Sequence, residues 1–255
     1  MNRFVACILM LFGLNSAFAL GNTKELMLLD HFRIVDLTHP LSSSVPTWNG
    51  SCGFCLELKQ DYDRMFRVQQ VKMHAGVGTH MDAPAHLFQG GLSIADIPVE
   101  QLIVSACVID VSKKAGADYK ISVEDVKNYE VTYGIIPQGS LVIGYTGWDR
   151  FWSDATNYRN ADATGQLHFP AFSAEAVKLL LTRNISGIAI DTLSPDCLDP
   201  SFAVHKLVLG AGKYIIENIA NSSQIPCKGS YVIALPLRAE ESTESSIRAI
   251  ALVPI

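Results

Sequence analysis

The chain has 255 residues, of which 49% are hydrophobic and 18% charged, with a formal net charge of −5. That length suits one large domain or two small ones, and that composition supports a sizeable core and excludes a disordered chain. No run of Lys or Arg occurs anywhere, which argues against nucleic acid as a partner.

Residues 1–19 read as a separate object. Arg3 gives a positive start, residues 4–14 form an apolar run, and Ala17-Phe18-Ala19 is a small-x-small cleavage site. The expectation is a signal peptide over 1–19, export to the periplasm or beyond, and a single functional domain over 20–255. The apolar run is too short to span a bilayer comfortably, so no membrane association is expected after cleavage. Cys7 leaves with the signal. Of Cys52, Cys55, Cys107, Cys197 and Cys227, the pair Cys52 and Cys55 is a candidate local disulfide in an exported protein, and Cys107 reads as a core residue.

Residues 33–37 form a short β-type run, and residues 42–53, rich in Ser, Pro and Gly, form a loop. Residues 66–72 alternate apolar and polar, as a half-buried strand does. A histidine-rich loop follows, and then an apolar, β-branched strand over 102–111. Ser122-Val-Glu-Asp125 is a capping-box start for a helix through Tyr129, and Gly139 leads into a strand over 140–145. Ser173 reads as the cap of a helix over 174–183 that Asn184 ends, followed by a buried strand over 185–191. Residues 204–209 and 213–219 are apolar segments broken by Gly210-Ala-Gly212. Strands over 231–237 and 246–253 close the chain, joined by an acidic loop over 240–244. Strands outnumber helices, which predicts a single α/β domain with a mixed sheet.

The segment His74-Ala-Gly-Val-Gly-Thr-His80-Met-Asp82-Ala-Pro-Ala-His86 holds three of the chain's seven histidines. Imidazole nitrogens and a carboxylate are ligands for a divalent ion of the zinc or manganese kind. His80 and Asp82 are two apart and point the same way on an extended backbone. Thr79 is placed to brace a ligand. His86 lies past Pro84, which redirects the chain, and an imidazole beside a metal site suits general acid/base work near neutral pH.

These residues, from Gly78 to His86, resemble the H-x-G-T-H-x-D-x-P-x-H signature of the metal-dependent cyclase family, which includes bacterial kynurenine formamidase and isatin hydrolase. Asp36-Leu37-Thr38, Thr146-Gly147-Trp148, residues 187–196 and the pair of segments at 234–237 and 248–251 are similar to further elements of that family. The resemblance spans about residues 33–254. It implies the family's α/β fold with a mixed sheet, of the swivelling β/β/α type, and one or two Zn or Mn ions held by His80, Asp82, His205 and Glu217. It also implies His86 as the catalytic proton shuttle and a homodimer or homotetramer. The signature's first histidine, a metal ligand in the family, falls here on Gly76. His74 is an additional candidate ligand, since a curled glycine loop would bring it nearer.

The activity implied is hydrolysis of a C–N amide bond in a small molecule by metal-activated water, either an N-formyl arylamine such as N-formylkynurenine or a cyclic amide such as isatin. Trp48 is a candidate substrate contact, with Phe54, Trp148 and Trp152 as further aromatic candidates. Two other readings stand beside it. One is a lactone or polyketide-type cyclase or hydrolase on the same fold. The other is a non-catalytic metal-binding protein that has lost the ligand at position 76, against which His86 argues.

Overall fold

A computed structural model describes residues 28–255. The expected signal segment lies outside the described residues. Twelve strands and four α-helices follow in chain order: β1 Phe32–Asp36, β2 Phe54–Gln60, β3 Val68–Met73, β4 His80–Asp82, β5 Ile103–Asp110, β6 Lys120–Ile121, α1 Val123–Tyr133, β7 Leu141–Tyr145, α2 Ala155–Arg159, β8 Ala171–Phe172, α3 Ala174–Leu181, β9 Gly187–Ile190, α4 Ala203–Gly210, β10 Tyr214–Glu217, β11 Lys228–Pro236 and β12 Glu244–Pro254.

Eight strands form one mixed sheet in the order β1-β12-β11-β5-β7-β9-β10-β4, and β4 returns to pair with β12, so that the sheet closes like a barrel. The strands β5, β7, β9 and β10 run parallel to one another, as strands linked by helical crossovers do. The remaining pairings in this sheet are antiparallel. Closure depends on the length of β12. Its first residues pair with β4 and its last with β1 along one edge, while β11 occupies the other.

The parallel strands are apolar on both faces, which is why their sequences read as continuous runs. Leu141, Ile143, Ala189 and Ile216 face the interior of the closed sheet, where Met81, Ala249 and Ala251 join them. Val142, Ile188, Ile190 and Ile215 face outward, under a layer built from α1, α3 and α4. Gly187 pairs with Tyr214 of β10 and has no room for a side chain: a Cβ there would lie 2.4 Å from the Tyr214 carbonyl oxygen.

The helix α1 begins at the expected capping box, with Ser122 and Asp125 exchanging hydrogen bonds. It runs to Tyr133, four residues past the expected end. Arg183 holds Glu130 through two nitrogens at 2.8 and 3.0 Å, and Lys228 donates to the Tyr133 carbonyl at 2.6 Å, so distant cations support the last turn. The apolar segment after residue 203 is helix α4, and the segment after Gly212 is strand β10.

Among the described residues, β2 and β3 pair only with each other. The alternation of residues 66–72 predicts a half-buried strand, but every residue of β3 is exposed. Its register therefore leaves Val68, Val71 and Met73 uncovered in this chain, along with Leu56 and Leu58 across the ladder. Cys52 and Cys55 are exposed free thiols, not a disulfide, and Cys107, Cys197 and Cys227 are free as well.

Candidate active site

The site lies on the outer face of the closed sheet, where β10, β4 and β12 run side by side. On β4, His80 and Asp82 share one face, and Met81 between them is fully buried in the core on the other. The pairings set Glu217 of β10 opposite His80, and Glu244 of β12 opposite Asp82. Register is strongly determined here. A one-residue slip would bury two ionisable groups in the apolar interior at several kcal/mol each, and would uncover Met81, worth ~1.5–3 kcal/mol.

The fourth donor comes from α4, which packs against β10. His205 stands in its first turn and is buried. The N-cap residue, Phe202, has no side-chain oxygen to offer and adopts a left-handed φ of 51°. Asp196 caps instead, accepting from Val204 N at 2.7 Å and His205 N at 2.8 Å. The same carboxylate accepts from His205 Nδ1 at 2.6 Å. That bond places the proton on Nδ1 and leaves the Nε2 lone pair aimed at the site. His80 is fixed alike: Nδ1 donates to the Gly78 carbonyl at 2.8 Å, which frees Nε2.

The loop carrying these ligands is clamped from below. Thr79 Oγ1 donates to the Asn218 carbonyl at 2.6 Å and accepts from His39 N at 3.0 Å, while Asn218 Nδ2 donates to Gly78 O at 2.9 Å. Tyr158 ties Asn218 to the end of β9. There Asp191, fully buried, accepts from Thr146 and Trp148 and so joins the end of β7 to β9. Burial pushes the Asp191 carboxyl up to about 6, against these hydrogen bonds.

His80 Nε2 lies 3.4 Å from Asp82 Oδ1 and 3.3 Å from Glu217 Oε2. His205 Nε2 lies 3.5 Å from Asp82 Oδ2 and 3.4 Å from Glu217 Oε1. Two groups of donors, His80–Asp82–Glu244 and Asp82–His205–Glu217, each have atoms within 4.8 Å of one another and share Asp82. Like charges at such separations repel by roughly 3–4 kcal/mol at an effective dielectric near 20, so carboxylates held this close call for positive charge among them.

With protein groups alone, the imidazoles supply that charge. Burial opposes the imidazolium, but Asp82 and Glu217 outweigh it and push His80 up to about 10. Asp196, Asp82 and Glu217 overcome the same penalty and push His205 up to about 12. Glu217 is drawn below the ordinary carboxylate range by the two histidines, in spite of its burial. Asp82 Oδ1 is buried and has no hydrogen-bond partner. Two oriented nitrogens, two carboxylates and an orphaned oxygen fit a divalent cation, which would take up the lone pair left without a hydrogen bond.

His86 stands beside this cluster, in the short 3-10 turn that opens at Pro84. Its ring centroid is 6.1 Å from that of His205, and its Nδ1 is 3.4 Å from Glu244 Oε2. Glu244 holds the His86 pKa above its ordinary value, against partial burial. His86 belongs to neither donor group. His74 also stays outside both. It is exposed just past the end of β3, with its backbone N–H bonded to the Gly53 carbonyl at 2.9 Å and its ring Nδ1 beside Gly53.

A cavity of about 290 Å³ opens over His80, His86, His205 and Glu217. Trp48 lines it, as does Phe202, whose ring is 5.8 Å from that of His205. The other aromatic candidates do not. Trp148 is buried and donates to the Tyr158 carbonyl at 2.8 Å, Trp152 stacks on His39 at 4.0 Å, and Phe54 starts the β2–β3 hairpin.

Three residues here go beyond the sequence expectations. Glu244 reads as part of an acidic loop, Phe202 has no motif around it, and Asp196 stands in a similar segment with no role attached.

The sequence pattern of the family described as "Putative cyclase" matches residues 35–197. An isatin hydrolase from Roseibium aggregatum is 34% identical over 189 residues, covering 69% of this chain and 71% of that protein. A kynurenine formamidase from Bacillus cytotoxicus is 26% identical over 220 residues, covering 85% of this chain and 95% of that one. Among solved structures, an isatin hydrolase bound to the product analogue thioisatinate superposes with a TM-score of 0.83 at 28% identity, covering 88% of this chain and 94% of that one. Isatin hydrolase A from Ralstonia solanacearum gives 0.79 at 30% identity, over 87% and 92% of the two chains. In sequence and in fold, the chain belongs to the cyclase family.

Proposed function

We propose that the protein is a metal-dependent hydrolase that opens the C–N amide bond of a small aromatic substrate. The observation that carries this is the convergence of His80, Asp82, His205 and Glu217 beside His86, an imidazole outside the donor groups, under an aromatic-walled cavity. The names of the similar proteins support an amide substrate, cyclic as in isatin or linear as in N-formylkynurenine.

A divalent cation in such a site supplies Lewis acidity and brings the pKa of water to ~7. The chain's own residues do the rest. Asp196 and the Gly78 carbonyl fix the ring orientations of His205 and His80. Trp48 and Phe202 hold an aromatic ring flat and exclude water from one side. His86 carries a proton between water and the leaving nitrogen, with Glu244 steadying its imidazolium form. The cavity is at the small end of ligand sites, which suits a one- or two-ring substrate.

The test is an assay of purified protein against isatin, N-formylkynurenine and simple lactones, before and after chelation. Amide opening that is lost with the metal and restored by Mn²⁺ or Zn²⁺ is the expected result. A metal-free preparation with full activity, or turnover of lactones alone, overturns it.

Export and self-association belong to the same proposal. The sequence of residues 1–19 supports export, and the uncovered apolar residues of the β2–β3 hairpin support a homodimer or homotetramer. A periplasmic product starting at Leu20 and a light-scattering mass at least twice that of the chain are expected. A cytoplasmic, full-length monomer contradicts both.

A further inference from the structure

Position 76 is a glycine in the loop before β4, and the space its side chain would fill is already taken. A Cβ built on Gly76 would lie 2.0 Å from Glu244 Oε1 and 3.3 Å from His80 Nε2. The first distance is far below any real contact, so a side chain at 76 and the Glu244 carboxylate in this rotamer cannot share the space, and the flexible Glu244 side chain would have to turn out of the site. The carboxylate is held in place at both ends. β12 begins at Glu244, in register with Asp82 on β4, and the Ser242 hydroxyl donates to the Glu244 carbonyl at 2.5 Å. Its Oε2 meets His86 Nδ1 at 3.4 Å, which leaves Oε1 turned toward Gly76 and His80.

Glu244, His80 and Asp82 bring one donor atom each to within 4.8 Å of one another. A second, independent observation marks the same spot as a ligand position. Asp82 Oδ1 lies on the His80 side, on a side chain only 2% exposed, and no donor among the described residues hydrogen-bonds to it. An acceptor buried without a partner is costly unless something absent from the polypeptide satisfies it.

We propose that Glu244 is a cation ligand occupying the volume of the missing residue-76 side chain, so that one cation is held by Glu244, His80 and Asp82. This assignment deepens the cation-binding reading above and rests on it. Gly76 is then the other half of an exchange: an anionic oxygen donor reaches the site from the last strand because nothing projects from the loop. Two carboxylates and one imidazole make a harder donor set than one in which a second imidazole replaces Glu244, and carboxylate oxygens suit Mn²⁺ better than nitrogen-rich sites do. Through Oε2, the same residue couples the ligand set to His86.

The test is calorimetric titration of the chelator-stripped full chain with Mn²⁺ and with Zn²⁺, alongside Glu244→Gln, Glu244→Ala, Gly76→His and the double variant Gly76→His/Glu244→Ala. Thermal unfolding in chelator serves as the control for folding. Glu244→Gln is nearly isosteric and should fold like the parent, yet one cation should bind it about 100-fold more weakly or not at all, since even residues that only orient ligands are worth 10–100-fold. Gly76→His alone should turn the Glu244 carboxylate out of the site at little cost in thermal stability, so that Glu244 no longer contributes to cation binding. The double variant should regain the cation binding lost in Glu244→Ala, with its preference shifted from Mn²⁺ toward Zn²⁺. Unchanged affinity and stoichiometry in both Glu244 variants overturns the assignment while leaving the cation-binding reading intact. Parent protein that binds neither ion overturns both.

Discussion

Asp82→Ala should lower kcat/KM by roughly 10³-fold or more without unfolding the protein. Asp82 is the residue common to both donor groups, with Oδ1 facing His80 and Oδ2 facing His205. Its loss leaves neither group with three ligands. Lewis-acid assistance is worth several kcal/mol in the transition state, and each ~1.4 kcal/mol is tenfold in rate. The fold should survive because Met81 and the β4 ladder, not the Asp82 carboxylate, hold this strand. In chelator Asp82 is a counter-charge for the His80 and His205 imidazoliums, so its loss should lower the melting temperature while leaving the folding transition intact. Kinetics, calorimetric cation titration and thermal unfolding on the same preparation check this. Parent-like turnover in Asp82→Ala would remove the shared-ligand geometry from the mechanism.

His86→Ala should lower kcat by ~10²-fold or more while cation binding survives. The two effects separate because His86 lies outside both donor groups yet lines the cavity above them. Its ion pair with Glu244 raises its pKa from the ordinary 6.5, so the imidazolium that donates to a leaving nitrogen persists to higher pH. Activity that depends on this proton falls as pH rises through the raised pKa, and that limb should vanish in His86→Ala. Loss of the cation in this variant would instead make His86 a ligand.

The parts of the site that were legible in the sequence are those whose geometry is local. His80 and Asp82 are two apart on one strand, and their shared face follows from the period of an extended chain. His205 and Glu217 were reachable only through the family resemblance, since a helix residue and a strand residue twelve positions apart have no local reason to meet. Glu244 was hidden by pairing: the acidic loop was expected to run through it, but β12 starts there because β4 offers an unpaired edge. Asp196 was hidden in the same way, because α4 takes its cap from a residue eight positions before Val204 and not from its own N-cap.

The fold divides along the same line. Cap residues and apolar runs mark α1, α3 and the parallel strands. Closure of the sheet through β12 depends on which distant edges meet, and so does the exposure of β3. His74 shows the cost of arguing from distance along the chain. Flexible glycines permit an approach, but His74 is tied beside Gly53 by its backbone N–H and its ring stays there.

Anomalous scattering from crystals grown with Mn²⁺ tests the central claim most directly. A peak within ~2.0–2.3 Å of His80 Nε2 or His205 Nε2, and of the Asp82 and Glu217 carboxylates, is the expected result. Crystals of catalytically active protein with no peak among these side chains, or with metal bound only elsewhere, would contradict it.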